Sequence, residues 1–146
     1  MVGAAFVAAL CLAGCPKTPD GRNSNPDIVG AWTVNIPTAP FPLHMFVFHA
    51  DGTVEQSNPD AGDPRTSDSN LMGAWRSEGD GYRGKLVEFT ADRTTRRFAS
   101  RGEISFALKV SGNTFDGTAS AVFVDANGRR LSGPIQVKMA GERVLP

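Results

Sequence analysis

The chain is poor in the side chains that covalent chemistry uses. Its 146 residues include two cysteines, two histidines and one tyrosine. Both cysteines, Cys11 and Cys15, fall within the first fifteen residues, so the remainder has no disulfide, CxxC metal site or thiol nucleophile. There is no Walker loop, no dinucleotide glycine fingerprint, no HExxH and no Gly-x-Ser-x-Gly elbow. Fifteen Lys and Arg balance fifteen Asp and Glu. With no positive surplus to neutralise phosphates, the composition argues against a nucleic-acid binder. No apolar run approaches the roughly 20 residues that span a bilayer as a helix. Nor does any segment show ten residues of helical period between caps. What is present is sixteen Gly and ten Pro without a period, 40% hydrophobic and 21% charged residues. That is the make-up of one turn-rich β domain with a single core.

Met1 to Gly14 carry no charge, and Ala4 to Leu12 are small or apolar, which suits the core of a secretory signal. The run ends in Leu12-Ala13-Gly14-Cys15, which resembles the lipobox of bacterial lipoproteins. The resemblance implies cleavage before Cys15 and acylation of that residue. Two or more acyl chains anchor stably where one does not, so the implied partner is membrane lipid and the implied address is the bacterial cell envelope. Pro16 follows the Cys where Asp would favour inner-membrane retention, which points to the outer membrane or cell surface. Residues 16–27, PKTPDGRNSNPD, offer no side chain large enough for a core and read as a tether. The expected organisation is therefore a signal over 1–14, a lipidated Cys and flexible tether over 15–27, and a folded domain over 28–146.

From Ile28 the apolar period is two, the period of a strand. Ile28, Gly30, Trp32, Val34 and Ile36 share a face; so do Ile104, Phe106, Leu108 and Val110. Phe115, Gly117, Ala119, Ala121 and Phe123 alternate likewise, as do Leu131, Gly133, Ile135, Val137, Met139 and Gly141. Leu43 to His49 is apolar on both faces, and its outer face suits cover by a second molecule, by a lid loop or by membrane lipid. Weaker strands near 53–57, 72–77, 82–90 and 96–101 bring the total to about eight, joined mostly by tight turns such as Ala50-Asp51-Gly52 and Asp125-Ala126-Asn127-Gly128. The predicted fold is all-β, an antiparallel up-and-down meander closing into a barrel, with a bulge or imperfect seam at Pro134. Eight strands enclose a filled interior or room for one small ligand. Inward Gly117, Ala119, Ala121, Gly133 and Gly141 fit either outcome. Gly30-Ala31-Trp32 recurs as Gly73-Ala74-Trp75, each copy leading to Phe-x-Ala-Asp, which hints at a repeated two-strand unit.

Candidates for chemistry are few. His44 and His49 lie on opposite strand faces and cannot share a metal. His44, beside Phe46 and Phe48, is a polar wall group of the interior or a general base. Glu88 and Tyr82 share a face whose direction the alternation leaves open. Arg93, Arg96, Arg97 and Arg101 read as an exposed hairpin face. Asn58 to Asn70 reads as a long solvated loop, or a lid; its Asp60, Asp63 and Asp68 lack the spacing of a calcium loop. No metal or cofactor is expected.

Gly30-Ala31-Trp32 in the first strand, with Arg143 ending the last, resembles the lipocalin or wider calycin barrel. The resemblance implies an indole across the closed end of the barrel with an arginine packed on it, so Trp32 and Arg143 would be structural closures. The barrel and the envelope address together point to non-covalent binding of a small apolar or amphipathic ligand, with Phe46, Trp75, Tyr82, Phe106 and His44 as lining residues. The alternatives are an envelope interaction module with a filled barrel and possible self-association, or a small cyclase or isomerase using His44 or Glu88.

Overall fold

A computed structural model describes residues 26–57 and 63–146. The expected signal, Cys15 and tether residues 16–25 lie outside them. Among the described residues there are nine strands: β1 (Gly30–Asn35), β2 (Leu43–Phe48), β3 (Thr53–Ser57), β4 (Thr66–Asp68), β5 (Leu71–Glu78), β6 (Gly81–Asp92), β7 (Phe98–Ser111), β8 (Thr114–Val124) and β9 (Arg130–Arg143). No helix long and apolar enough to cross a membrane occurs among the described residues. Apart from β4, each strand pairs antiparallel with its neighbours in the chain, and β9 returns to β1 through Trp32↔Arg143 and Val34↔Gly141. The result is an eight-stranded up-and-down barrel with its ladder closed. Closure leaves no exposed edge along the ring.

Alternation decides which side chains face in. On β1 Trp32 and Val34 are buried while Thr33 and Asn35 are exposed, and on β2 His44, Phe46 and Phe48 are buried while Leu43 and Met45 are exposed. The same parity turns Val54 and Gln56 inward on β3, Leu71 and Trp75 on β5, and Leu86, Glu88 and Thr90 on β6. It thus settles the face of Glu88. The expected irregularity at Pro134 is a bulge: Ala121 pairs Ile135 and Phe123 pairs Ser132, so Gly133 and Pro134 together oppose Val122. A residue without an N–H is thereby accommodated while the ring stays closed.

The turns at 49–52, 79–80 and 112–113 share one end of the barrel with the start of β1. There Trp32 is fully buried, its Nε1–H donates to Ile28 O at 2.8 Å, and the Arg143 guanidinium lies 4.2 Å from its ring centroid. Arg143 Nη1 also donates to Val29 O at 2.8 Å. Phe48, Trp75 and Phe115 complete this core. Both Gly-Ala-Trp copies thus send their indoles to the same end.

Part of the expected solvated loop is structured. Thr66–Asp68 pairs with Asp92–Thr90 as β4, because β6 runs on past the start of β5 and offers it a free edge. Asp63 Oδ1 accepts from the backbone N–H groups of Arg65 and Thr66, and Arg93 Nε donates to the carbonyls of Asp63 and Thr66, both at 2.8 Å. Arg93 therefore fastens this segment, whereas Arg101 pairs with Glu103 at 2.6 Å on the outer wall. Residues 58–62 lie outside the described region.

Candidate functional site

The other end carries the turns and loops 36–42, 63–70, 93–97 and 125–129, and Ile36, Phe41 and Asp68 from the first two border the mouth of a cavity of about 480 Å³. That volume falls in the range of small-molecule sites. Phe46, Leu86, Phe106 and Met139 form its floor above the closed-end core. The floor is rigid because its rings interlock: Phe46 stacks on Phe48 at 5.9 Å, and Phe48 meets Phe106 edge-on at 6.0 Å. Ile104, Ala119, Ala121, Phe123, Ile135 and Val137 make an apolar wall on β7, β8 and β9. Ala119 and Ala121 are small where the wall would otherwise fill. The small inward residues of β8 thus leave space here.

The opposite wall, on β2, β3, β4 and β6, carries His44, Gln56, Asp68 and Glu88. Each of His44, Gln56 and Glu88 is at least nine-tenths buried. Gln56 Nε2 donates to His44 Nδ1 at 3.1 Å, so the proton of the neutral ring sits on Nε2. His44 Nε2 has no hydrogen-bond partner among the described residues. Phe41, from the β1–β2 loop, meets the imidazole edge-on at 6.4 Å. Glu88 pairs with Gly102, and a Cβ at Gly102 would stand 2.7 Å from Glu88 Oε1. A side chain at Gly102 would have to displace the Glu88 carboxyl.

Burial holds the His44 pKa below the histidine value of 6.5, against a smaller upward pull from the Phe41 backbone. The unfolded chain therefore takes up this proton at higher pH than the native one does. The stability contributed by a neutral His44 is complete above about pH 6.5 and is lost as pH falls towards the lower folded-state pKa. Thermal melts should show Tm dropping between about pH 7 and 5, with a shallower drop in His44→Asn. Equal slopes for the two proteins would contradict a buried, neutral imidazole.

Of the expected lining residues, Phe46, Phe106 and His44 border the cavity, and Trp75 and Tyr82 do not. Trp75 belongs to the closed-end core, where Nε1–H is shared between the carbonyls of His49 (3.1 Å) and Thr53 (3.0 Å). Tyr82 packs on Trp75 at 5.4 Å and donates to Asp27 Oδ1 at 2.5 Å. The reason is their position along the strand: parity turns both inward, but both lie near the β5–β6 turn, far from the mouth. Sequence reasoning missed Gln56 and Phe41, and weighed Asp68 only as a loop carboxylate without the spacing of a calcium site. Gln56 was accessible from its spacing of two from Val54, whereas Asp68 and Phe41 reach the mouth through backbone paths that no period announces.

Fold and site together define a small closed antiparallel β-barrel with a cavity, open at one end, that is apolar on one side and polar on the other. Comparison of the chain with family models, curated proteins and solved structures returned no match.

Proposed function

We propose that this protein binds a small amphipathic molecule non-covalently inside its barrel, as a lipid-anchored component of the bacterial envelope. The cavity is the observation that carries the reading. It has an aromatic floor, one apolar wall, and a polar wall that holds an unpartnered donor at His44 Nε2. An apolar tail gains roughly 25 cal/mol per Å² on leaving water, and convergent polar groups orient the head. The anchoring part of the proposal rests on the lipobox-like Leu12-Ala13-Gly14-Cys15. Trp32 and Arg143 are structural in this reading, because their contacts lie beneath the floor.

The test is fluorescence titration of the full chain with N-phenyl-1-naphthylamine, a neutral apolar probe, for wild type and Ala121→Phe. The new ring fills space between the walls, so binding should weaken at least about tenfold. Tm should change little, since the ring enters the cavity that Ala121 lines rather than a filled core. Equal probe affinity in the two proteins would end the cavity reading. A second reading, an envelope interaction module, draws on the outer wall, where Leu43, Met45 and Met72 are 59%, 45% and 61% exposed. Absence of probe binding together with a sedimenting dimer would favour it.

A further inference from the structure

We propose that the cavity selects its ligand by the charge of the head group, taking a single-chain amphiphile with a cationic nitrogen and rejecting the corresponding fatty carboxylate. This rests on the carrier reading above and names the class of ligand within it. The charged side chains bordering the cavity are Asp68 and Glu88, and no Lys or Arg is among the described residues that line it. Two arginines of this end make contacts away from the lining. Arg93 Nε holds the carbonyls of Asp63 and Thr66, and Arg129 pairs with Asp125 at 3.1 Å in its own turn.

Of the two acidic groups, Glu88 is built into the wall and Asp68 stands exposed at its rim. Glu88 is 8% exposed, and β7 places Gly102 opposite it so that the carboxyl has room. Gln56 lies in register with Phe46 across β3 and β2 and with Leu71 across β3 and β5, and its 3.1 Å hydrogen bond to His44 joins the polar groups of β2 and β3. His44, 8% exposed, adds a buried Nε2–H without a partner.

The energetics give the sign. A second carboxylate brought beside Asp68 and Glu88 in a partly desolvated site is repelled or must take up a proton. An ammonium in the same place is attracted, and its hydrogen-bond donors meet carboxylate acceptors. His44 Nε2–H then suits an oxygen acceptor next to the nitrogen, as in an amino alcohol. The tail lies against Ala119, Ala121 and Val137 on the apolar wall.

The full chain, loaded with N-phenyl-1-naphthylamine, is titrated at neutral pH with dodecylamine and with dodecanoate, each below its micellar concentration. Dodecylamine should displace the probe at a concentration at least about tenfold lower. In Asp68→Asn/Glu88→Gln the preference should shrink to below about threefold while the neutral probe still binds. Asp68→Asn alone, at an exposed mouth position, should give a partial loss of preference if the double variant does not fold. Equal or better displacement by dodecanoate overturns the charge proposal and leaves the carrier reading standing, as does a preference that neither variant changes. A wild-type chain that fails to bind the probe overturns the carrier reading and this proposal together.

Discussion

Trp32→Ala should cost about 3–5 kcal/mol, the range for deleting a large buried aromatic. The indole is fully buried and sits where both ends of the barrel's seam meet. Truncation removes the 5.1 Å contact with Phe115 and leaves the Ile28 carbonyl without its Nε1–H donor. It also deprives the Arg143 guanidinium of the ring face 4.2 Å away. That guanidinium still spans the carbonyls of Val29 and Asp27, so the entry of β1 stays tied to the end of β9. Urea unfolding followed by circular dichroism would measure the loss. A cycle with Arg143→Ala should return a coupling of roughly 0.5–2 kcal/mol for the stacked pair. A Trp32→Ala loss below about 1 kcal/mol would show that the closed end is not held by this residue. Probe affinity per folded molecule should be unchanged, because the floor separates the closure from the cavity.

Gly73→Ala is the second large effect, and its origin is steric. A Cβ there would stand 1.8 Å from the Lys85 carbonyl oxygen and 2.9 Å from Leu86 Cα. These are backbone atoms of β6, paired to β5 through Gly73↔Leu86, and no rotamer change relieves the overlap. The strands must separate or slip. A slip of one residue would exchange inward Leu71 and Trp75 with outward Met72 and Ala74. Overpacking usually costs 1–3 kcal/mol, and a clash with backbone should exceed about 3 kcal/mol or prevent closure. Gly128→Ala is the contrast. Its added Cβ meets nothing within 4 Å, and only the backbone angle, φ +78°, opposes it, at a cost of about 1–2 kcal/mol. A Gly73→Ala protein as stable as Gly128→Ala would overturn the close-approach account.

The two copies of Gly-Ala-Trp therefore carry glycine in different settings that the repeat itself does not reveal. In the second copy the β6 backbone comes within 1.8 Å of where a Gly73 Cβ would stand, whereas at Gly30 the nearest atom is a side-chain nitrogen of Arg143 at 2.9 Å. The resemblance led to Trp32 and Arg143 as neighbours, and the structure places them in contact through the β1–β9 ladder. Trp75 was harder to assign. Aromatic, inward and at strand period, it satisfied every local criterion for a cavity wall, and only its distance from the mouth removed it. Glu88 illustrates the reverse. Its strand carries charged or aromatic residues on both faces, so alternation was ambiguous until pairing with Gly102 and Val87↔Met72 set the parity.

By itself the sequence determined that this chain is a β meander. Period-two alternation forces one face of each strand inward, and short polar turns force sequential strands to pair antiparallel. It also determined the apolar make-up of that inner face, including Phe46, Phe106, Ala119 and Ala121. Tertiary structure alone decided whether the interior was filled, which end stayed open, and which polar groups met there. Those outcomes depend on the closure of β9 on β1 and on the height of each side chain along the barrel axis. Alternation specifies inside or outside, whereas closure and height follow from the register of all eight strands at once.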